Sequence, residues 1–103
     1  MNTSVYRAVA DEHRRLLLDT LRDRGDQNLA DLCRDLPISR QAVSKHLAVL
    51  EEADLVRSHR LGRERIHSLN PGPLQDLQSW AASYSSFWDR RLDALEAELD
   101  RRG

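Results

Sequence analysis

Residues 39–50 read Ser-Arg-Gln-Ala-Val-Ser-Lys-His-Leu-Ala-Val-Leu, a stretch with two cations, several hydrogen-bonding side chains and no acid. At helical spacing it has two faces. Val43, Leu47 and Leu50 recur at i, i+4 and i+7 and make an apolar stripe. Gln41, Ser44, Lys45 and Ala48 recur at i, i+3, i+4 and i+7 on roughly the opposite side. Arg, Lys, Gln and Ser are side chains that hydrogen-bond base edges in a major groove or phosphate oxygens. Ala48, small and in mid-face, lets the helix axis come close to its target, and Arg40 stands where it can help position the helix. His46 lies at the edge of this face, as a phosphate contact or a boundary residue. A solvated surface helix would have a similar composition, so the neighbouring segments decide between the two.

The segment that follows is also basic. Residues 55–60 and 64–69 pattern as two short strands, with Leu61-Gly62-Arg63 between them and Gly62 free to take the positive φ that a tight turn needs. Arg60, Arg63 and Arg65 on this hairpin are candidates for phosphate or minor-groove contacts. Net charge is −1 over 103 residues, which by itself says nothing of nucleic acid, but the charge is unevenly spread. It sums to +2 over residues 39–50, +3 over 57–67 and −2 over 71–103. Phosphate attraction acts over a Debye length of about 8–10 Å, so a local basic patch suffices.

The elements that must hold these residues follow from caps and periodicity. Asn2 can cap a first helix over 3–10, with Val5, Tyr6 and Val9 on it. Asp11 can cap a second over 12–24, with Leu17 and Leu21 on its buried face and Gly25 as its stop. Asn28 can cap a third, whose stripe is Leu29, Leu32, Cys33 and Leu36, and Pro37 ends it. Ser39 then caps the helix of residues 39–53. Two short helices joined by a tight turn are a helix-turn-helix in layout, and a basic hairpin directly after one is the layout of a winged helix. Beyond Asn70-Pro71-Gly72-Pro73, residues 74–102 read as one long helix. Its stripe of Leu74, Leu77, Ala81, Tyr84, Trp88, Leu92, Leu95 and Leu99 is widened by Trp80 and Phe87. That stripe is more than a small domain can cover, which points to self-association. The expected fold is mainly α: one winged helix-turn-helix domain over 1–103, with about five helices and a two-stranded antiparallel wing. Val5, Tyr6, Val9, Leu77, Tyr84, Trp88, Leu92 and Leu95 are the candidate dimer residues.

Other functions find less support. No phosphate-binding glycine loop, catalytic triad or carboxylate pair in an apolar setting stands out, so neither an enzyme nor a cofactor is expected. One cysteine, Cys33, excludes an intrachain disulfide; with no signal-peptide pattern and no membrane-length apolar run, the expected compartment is the cytoplasm. A metal site needs about four ligands. The last helix has no histidine, and His13, His46, His59 and His67 are at no ligand spacing in sequence, so no metal site is expected. Cys33 lies on an apolar stripe and reads as a core residue. The competing readings are a metal- or redox-responsive repressor using Cys33, and a winged-helix module that docks another protein.

In this order of elements the chain resembles the ArsR family of bacterial winged-helix repressors. The residues that carry the likeness are Asp11-Glu12-His13-Arg14-Arg15, Gln41-Ala42-Val43-Ser44-Lys45-His46-Leu47, Leu50-Glu51-Glu52-Ala53-Asp54-Leu55-Val56, and Gly62-Arg63. Glu12-His13 stand where the family usually has Pro-Thr or Pro-Ser. The resemblance implies a homodimer built from the first and last helices. It implies binding to double-stranded DNA at an inverted repeat, the recognition helix in the groove and the wing on the backbone or minor groove. It also implies a subgroup without the family's metal sites. Asn28 and Ala30 stand at the positions of a Cys-x-Cys pair, and the last helix lacks the histidines of the other site class. Such a protein would answer to its own concentration, or to a small organic effector near Trp80, Tyr84, Phe87 and Trp88.

Overall fold

Side-chain oxygens start three helices of the first half of the chain in the computed structural model, which describes residues 3–102. After α1 (Thr3–Val9), α2 (Glu12–Arg24) begins where the Asp11 carboxylate accepts the backbone N–H of Arg14 at 3.1 Å. That hydrogen bond holds the Asp11 carboxyl below its usual range. A short strand β1 (Gln27–Asn28) leads into α3 (Leu29–Cys33), capped by Asn28 Oδ1 on the N–H of Asp31 at 2.8 Å. Ser39 Oγ accepts the N–H of Ala42 at 3.1 Å and opens α4 (Arg40–Glu52). The expected cap at Asn2 lies outside the described residues.

Helix ends are equally local. Gly25 takes φ 79° and donates its N–H to Leu21 O at 3.0 Å. At the end of α4, Asp54 adopts φ 59°, while the N–H groups of Asp54 and Leu55 reach Glu51 O (2.9 Å) and Leu50 O (3.0 Å). This is a Schellman closure with aspartate in the left-handed position. The strain is offset by partners: Arg57 grips the Asp54 carboxylate with Nε and Nη2 (3.2 and 3.1 Å), and Asn70 Nδ2 donates to Asp54 O at 2.7 Å. Helix α3 ends at Cys33, sooner than its apolar stripe suggests. Leu36, the residue before Pro37, is disfavoured in helical geometry and packs on the core from a turn instead.

β2 (Val56–Leu61) and β3 (Glu64–Leu69) pair antiparallel from Val56↔Leu69 to Leu61↔Glu64, leaving Gly62-Arg63 as the two-residue turn. Gly62 has φ 65° and Arg63 has no positive φ, the II′ pattern that suits twisted hairpins. A third strand was not expected: β1 joins β3 (Gln27↔His67, Asn28↔Ile66), so the sheet order is β1-β3-β2. Leu17, Leu50, Leu55, Val5, Val43 and Val56 are the largest fully buried side chains and seat α4 and the sheet on α1 and α2.

The second half of the chain corrects one expectation. Residues 74–102 are not one helix but two, α5 (Leu74–Ala82) and α6 (Ser85–Arg102). At the break the N–H groups of Ser83 and Tyr84 bond i→i−3, to Trp80 O (3.1 Å) and Ala81 O (3.0 Å), and Ser83 Oγ competes for Trp80 O at 2.6 Å. Serine hydroxyls that take backbone carbonyls loosen a helix in this way. Leu74 and Leu77 pack on the core; α6 buries none of its residues.

Candidate nucleic-acid interface

Helix α4 is held by its apolar stripe, with Val43, Leu47 and Leu50 no more than 3% exposed. That anchoring turns Arg40, Gln41, Ser44, Lys45 and Ala48 to solvent. Leu29, Arg40, Gln41, Ser44 and Lys45 line a shallow open depression beside the helix. A second depression runs from the start of α3 to the wing, lined among others by Ala30, Arg40, Arg63 and Arg65. Arg40 belongs to both, so the helix face and the wing form one continuous surface. The third strand explains how the wing is aimed. β1 pairs with β3, and Asn28 Nδ2 donates to Glu64 Oε1 at 3.2 Å, which ties the outer end of the hairpin to the start of α3.

Arg22, Arg24, Arg34, Arg57 and Arg102 each pair with an aspartate or glutamate. Arg40, Lys45, Arg60 and Arg63 are exposed, and no described residue pairs with or hydrogen-bonds their side chains. Arg65 donates Nη1 to Ser58 Oγ at 2.8 Å and lies across from Arg60 in the ladder. Two guanidinium groups directly opposite repel each other, which an external anion would relieve.

His46 is placed differently from the other expected contacts. Its ring is turned to the start of α2, with Arg14 Nη1 at 3.3 Å from Nδ1 and Asp11 Oδ1 at 3.9 Å from Nε2. The His13 ring lies 5.8 Å away. His13 and His46, at no ligand spacing in sequence, come together in space: Asp11, His13 and His46 offer ligand atoms all within 4.8 Å of one another. Their separation of 33 residues hides this in the sequence. His67, which sequence reasoning left without a role, is buried on β3. Its Nδ1 makes no hydrogen bond and stands 3.6 Å from Glu51 Oε1.

The candidate interface residues divide into two groups. Val5 is 0% exposed and has no surface to offer a second copy; its place is the core, where it seats α1. Val9 and Leu77 are half-buried against that core. Tyr84, Trp88, Leu92 and Leu95 are 46–60% exposed, and Trp80, Phe87 and Leu99 share that exposure. The rings of Tyr6, Trp80, Tyr84 and Trp88 form a ladder with centroid steps of 6.0, 5.6 and 6.4 Å. Cys33 is half-buried at the edge of the core. No helix among the described residues is long and apolar enough to cross a membrane.

A capped helix with a polar, basic outer face, seated after a short helix and followed by a basic two-stranded wing, defines a winged helix-turn-helix, the architecture of DNA-binding transcriptional regulators rather than of enzymes. A family model described as a helix-turn-helix domain matches residues 9–59. The chain is 34% identical to the transcriptional repressor SdpR of Bacillus subtilis (86% of this chain, 98% of that protein). It is 37% identical to the HTH-type transcriptional regulator Rv2034 of Mycobacterium tuberculosis (95% and 88%). The structure is similar to that of an ArsR-like transcriptional regulator from Rhodococcus sp. RHA1, with TM-score 0.69, 38% identity and 90% and 87% of the two chains covered. The chain belongs to the ArsR family of winged helix-turn-helix transcriptional regulators.

Proposed function

We propose that the chain is a homodimeric repressor that binds an inverted-repeat operator. In this reading Gln41, Ser44 and Lys45 reach base edges, Arg40 positions the helix, and Arg60, Arg63 and Arg65 hold the backbone or minor groove. The observation that carries it is the segregation of Arg40, Lys45, Arg60 and Arg63, without partners in the described chain, onto one surface. On other faces Arg22, Arg24 and Arg57 are paired with carboxylates. His46 is left out of the contact set, because its ring faces α2. The exposed apolar face of α5 and α6 supports the dimer, and the name of the relative SdpR supports repression. The ring ladder from Tyr6 to Trp88 is the place for an apolar organic effector.

Release of DNA by a metal ion is not part of this reading. Asn28 and Ala30 supply no thiolate, and α6 supplies no imidazole. An ion that does not discriminate between the bound and free states has no coupling energy with which to release the operator. The test is a selection of bound sequences from a random DNA pool, followed by operator titrations with chelator and with zinc, cadmium or arsenite. A palindromic site and undiminished affinity are expected. A loss of affinity of about tenfold that Cys33→Ser abolishes would establish a sensor at Cys33. Failure to enrich any sequence would favour a protein-docking module.

A further inference from the structure

We infer that Asp11, His13 and His46 form a binding site for one divalent transition-metal ion, which fastens the start of α2 to the recognition helix α4. Among the described residues this is the only group of three such side chains with ligand atoms within 4.8 Å of one another. The ligand atoms around a tetrahedral ion at 2.0–2.2 Å stand about 3.3 Å apart. The observed 3.9 Å between His46 Nε2 and Asp11 Oδ1 closes to that by small side-chain rotations. The imidazole planes of His13 and His46 are tilted by 41° with centroids 5.8 Å apart, so the two rings are neighbours without being stacked. Two imidazoles and a carboxylate suit zinc, cobalt or nickel better than magnesium or calcium, which prefer all-oxygen shells. The Asp11 and His46 side chains are 34% and 18% exposed, which leaves an entry path and an open position for water.

Arg14 is the group that opposes the ion, and its surroundings show how it yields. In the metal-free arrangement His46 Nδ1 accepts from Arg14 Nη1 at 3.3 Å, and the ring proton sits on Nε2. Ligation through Nε2 moves that proton to Nδ1 and ends the Arg14 contact. Arg14 stays anchored by Nε on Ala8 O (2.7 Å) and Nη2 on Arg7 O (2.9 Å). The nearby guanidinium weakens the site but does not fill it.

The ligands come from two elements that meet only in the folded chain, so the ion stabilises the fold and keeps α4 seated. The site does not rest on the operator-binding reading, and it fastens the DNA-reading helix rather than releasing it. The experiment titrates cobalt(II) alone into the full chain, freed of metal by chelator, and follows ligand-field absorption and the thermal melt. One ion per chain and a raised Tm are expected. His13→Thr should bind cobalt at least about tenfold more weakly and lose the Tm rise while melting like the unsubstituted chain in chelator. If His13→Thr melts lower in chelator, His46→Gln provides the same comparison. Absence of absorption at millimolar cobalt, or unchanged binding in these variants, overturns the site. DNA selection that fails beside an intact cobalt site counts only against operator binding.

Discussion

Reading a base pair requires a side chain with hydrogen-bonding capacity left over, and Gln41 has it. Its side chain is exposed on α4 and bonds to no described residue, between the equally open Arg40 and Ser44. A glutamine at a base edge contributes discrimination, so Gln41→Ala should cost about 1–3 kcal/mol on the selected operator and little on random DNA. Equal losses on both, in parallel fluorescence titrations, would move Gln41 to the backbone. His67 makes the opposite case, a polar side chain with little room. Burial pushes its pKa below the ordinary 6.5; the Glu51 carboxylate opposes this and Arg65 adds to it. The unfolded chain therefore takes up a proton on His67 at a pH where the folded chain does not. The stability His67 contributes is fully present above pH 6.5 and is lost as the pH falls from there toward its folded pKa. His67→Leu, which removes the unbonded Nδ1 and keeps the site filled, should flatten the stability curve between about pH 7 and 5. Urea unfolding at a series of pH values tests this, and an unchanged slope would assign the pH dependence to another group.

Among the elements, the wing has the most distinct physical signature. Arg60, Arg63 and Arg65 project from a two-residue turn and its flanking rungs, and a phosphate contact releases counterions whatever the sequence. Each Arg→Ala change should weaken binding to operator and random DNA alike and reduce the salt slope by about 1. A triple variant with an unchanged slope would remove the wing from the interface. How much of this was legible in the sequence follows the range of the interactions. The caps at Asp11, Asn28 and Ser39, the stop at Gly25 and the turn at Gly62 are interactions spanning a few residues, and all were readable. Residues that depend on distant chain were not. β1 is only Gln27 and Asn28, and no periodicity can mark so short a strand; it exists because β3 passes beside it. The break at Ser83 depends on which carbonyl a hydroxyl takes, while the apolar spacing runs on through it. Val5 is assigned to the dimer face by sequence because one apolar residue per turn does not say which neighbour covers it; in the fold its own core does. Asp11, His13 and His46 meet only because the start of α2 lies beside the middle of α4.

Viewed whole, the molecule is longer than its core requires. About 100 residues packed compactly have a radius of gyration near 13 Å, whereas this chain has 18.6 Å and a long axis of 65 Å. The excess is α6, whose 18 residues extend about 27 Å at 1.5 Å per residue. Along it Phe87, Trp88, Leu92, Leu95 and Leu99 are 48–60% exposed. A contiguous apolar face of that length is unfavourable in water unless something covers it, and a second copy brings a matching face of the same helix. Two-fold pairing through α5 and α6 would set the two α4 helices about 34 Å apart, one turn of DNA, and so demands a palindromic operator. Sedimentation should find a dimer at tens of micromolar. Leu92→Asp with Leu95→Asp places charges in the middle of the pairing face, far from α4 and the core. That double variant should be a monomer with an unchanged fold by circular dichroism. Its operator affinity should fall by about 10²-fold, because the second half-site is no longer bound at high effective concentration. Each half-site on its own should be bound as before, since Gln41, Lys45 and the wing are untouched. A dimeric double variant would move the interface off α6. A monomer that keeps full operator affinity would break the link between pairing and palindromic recognition.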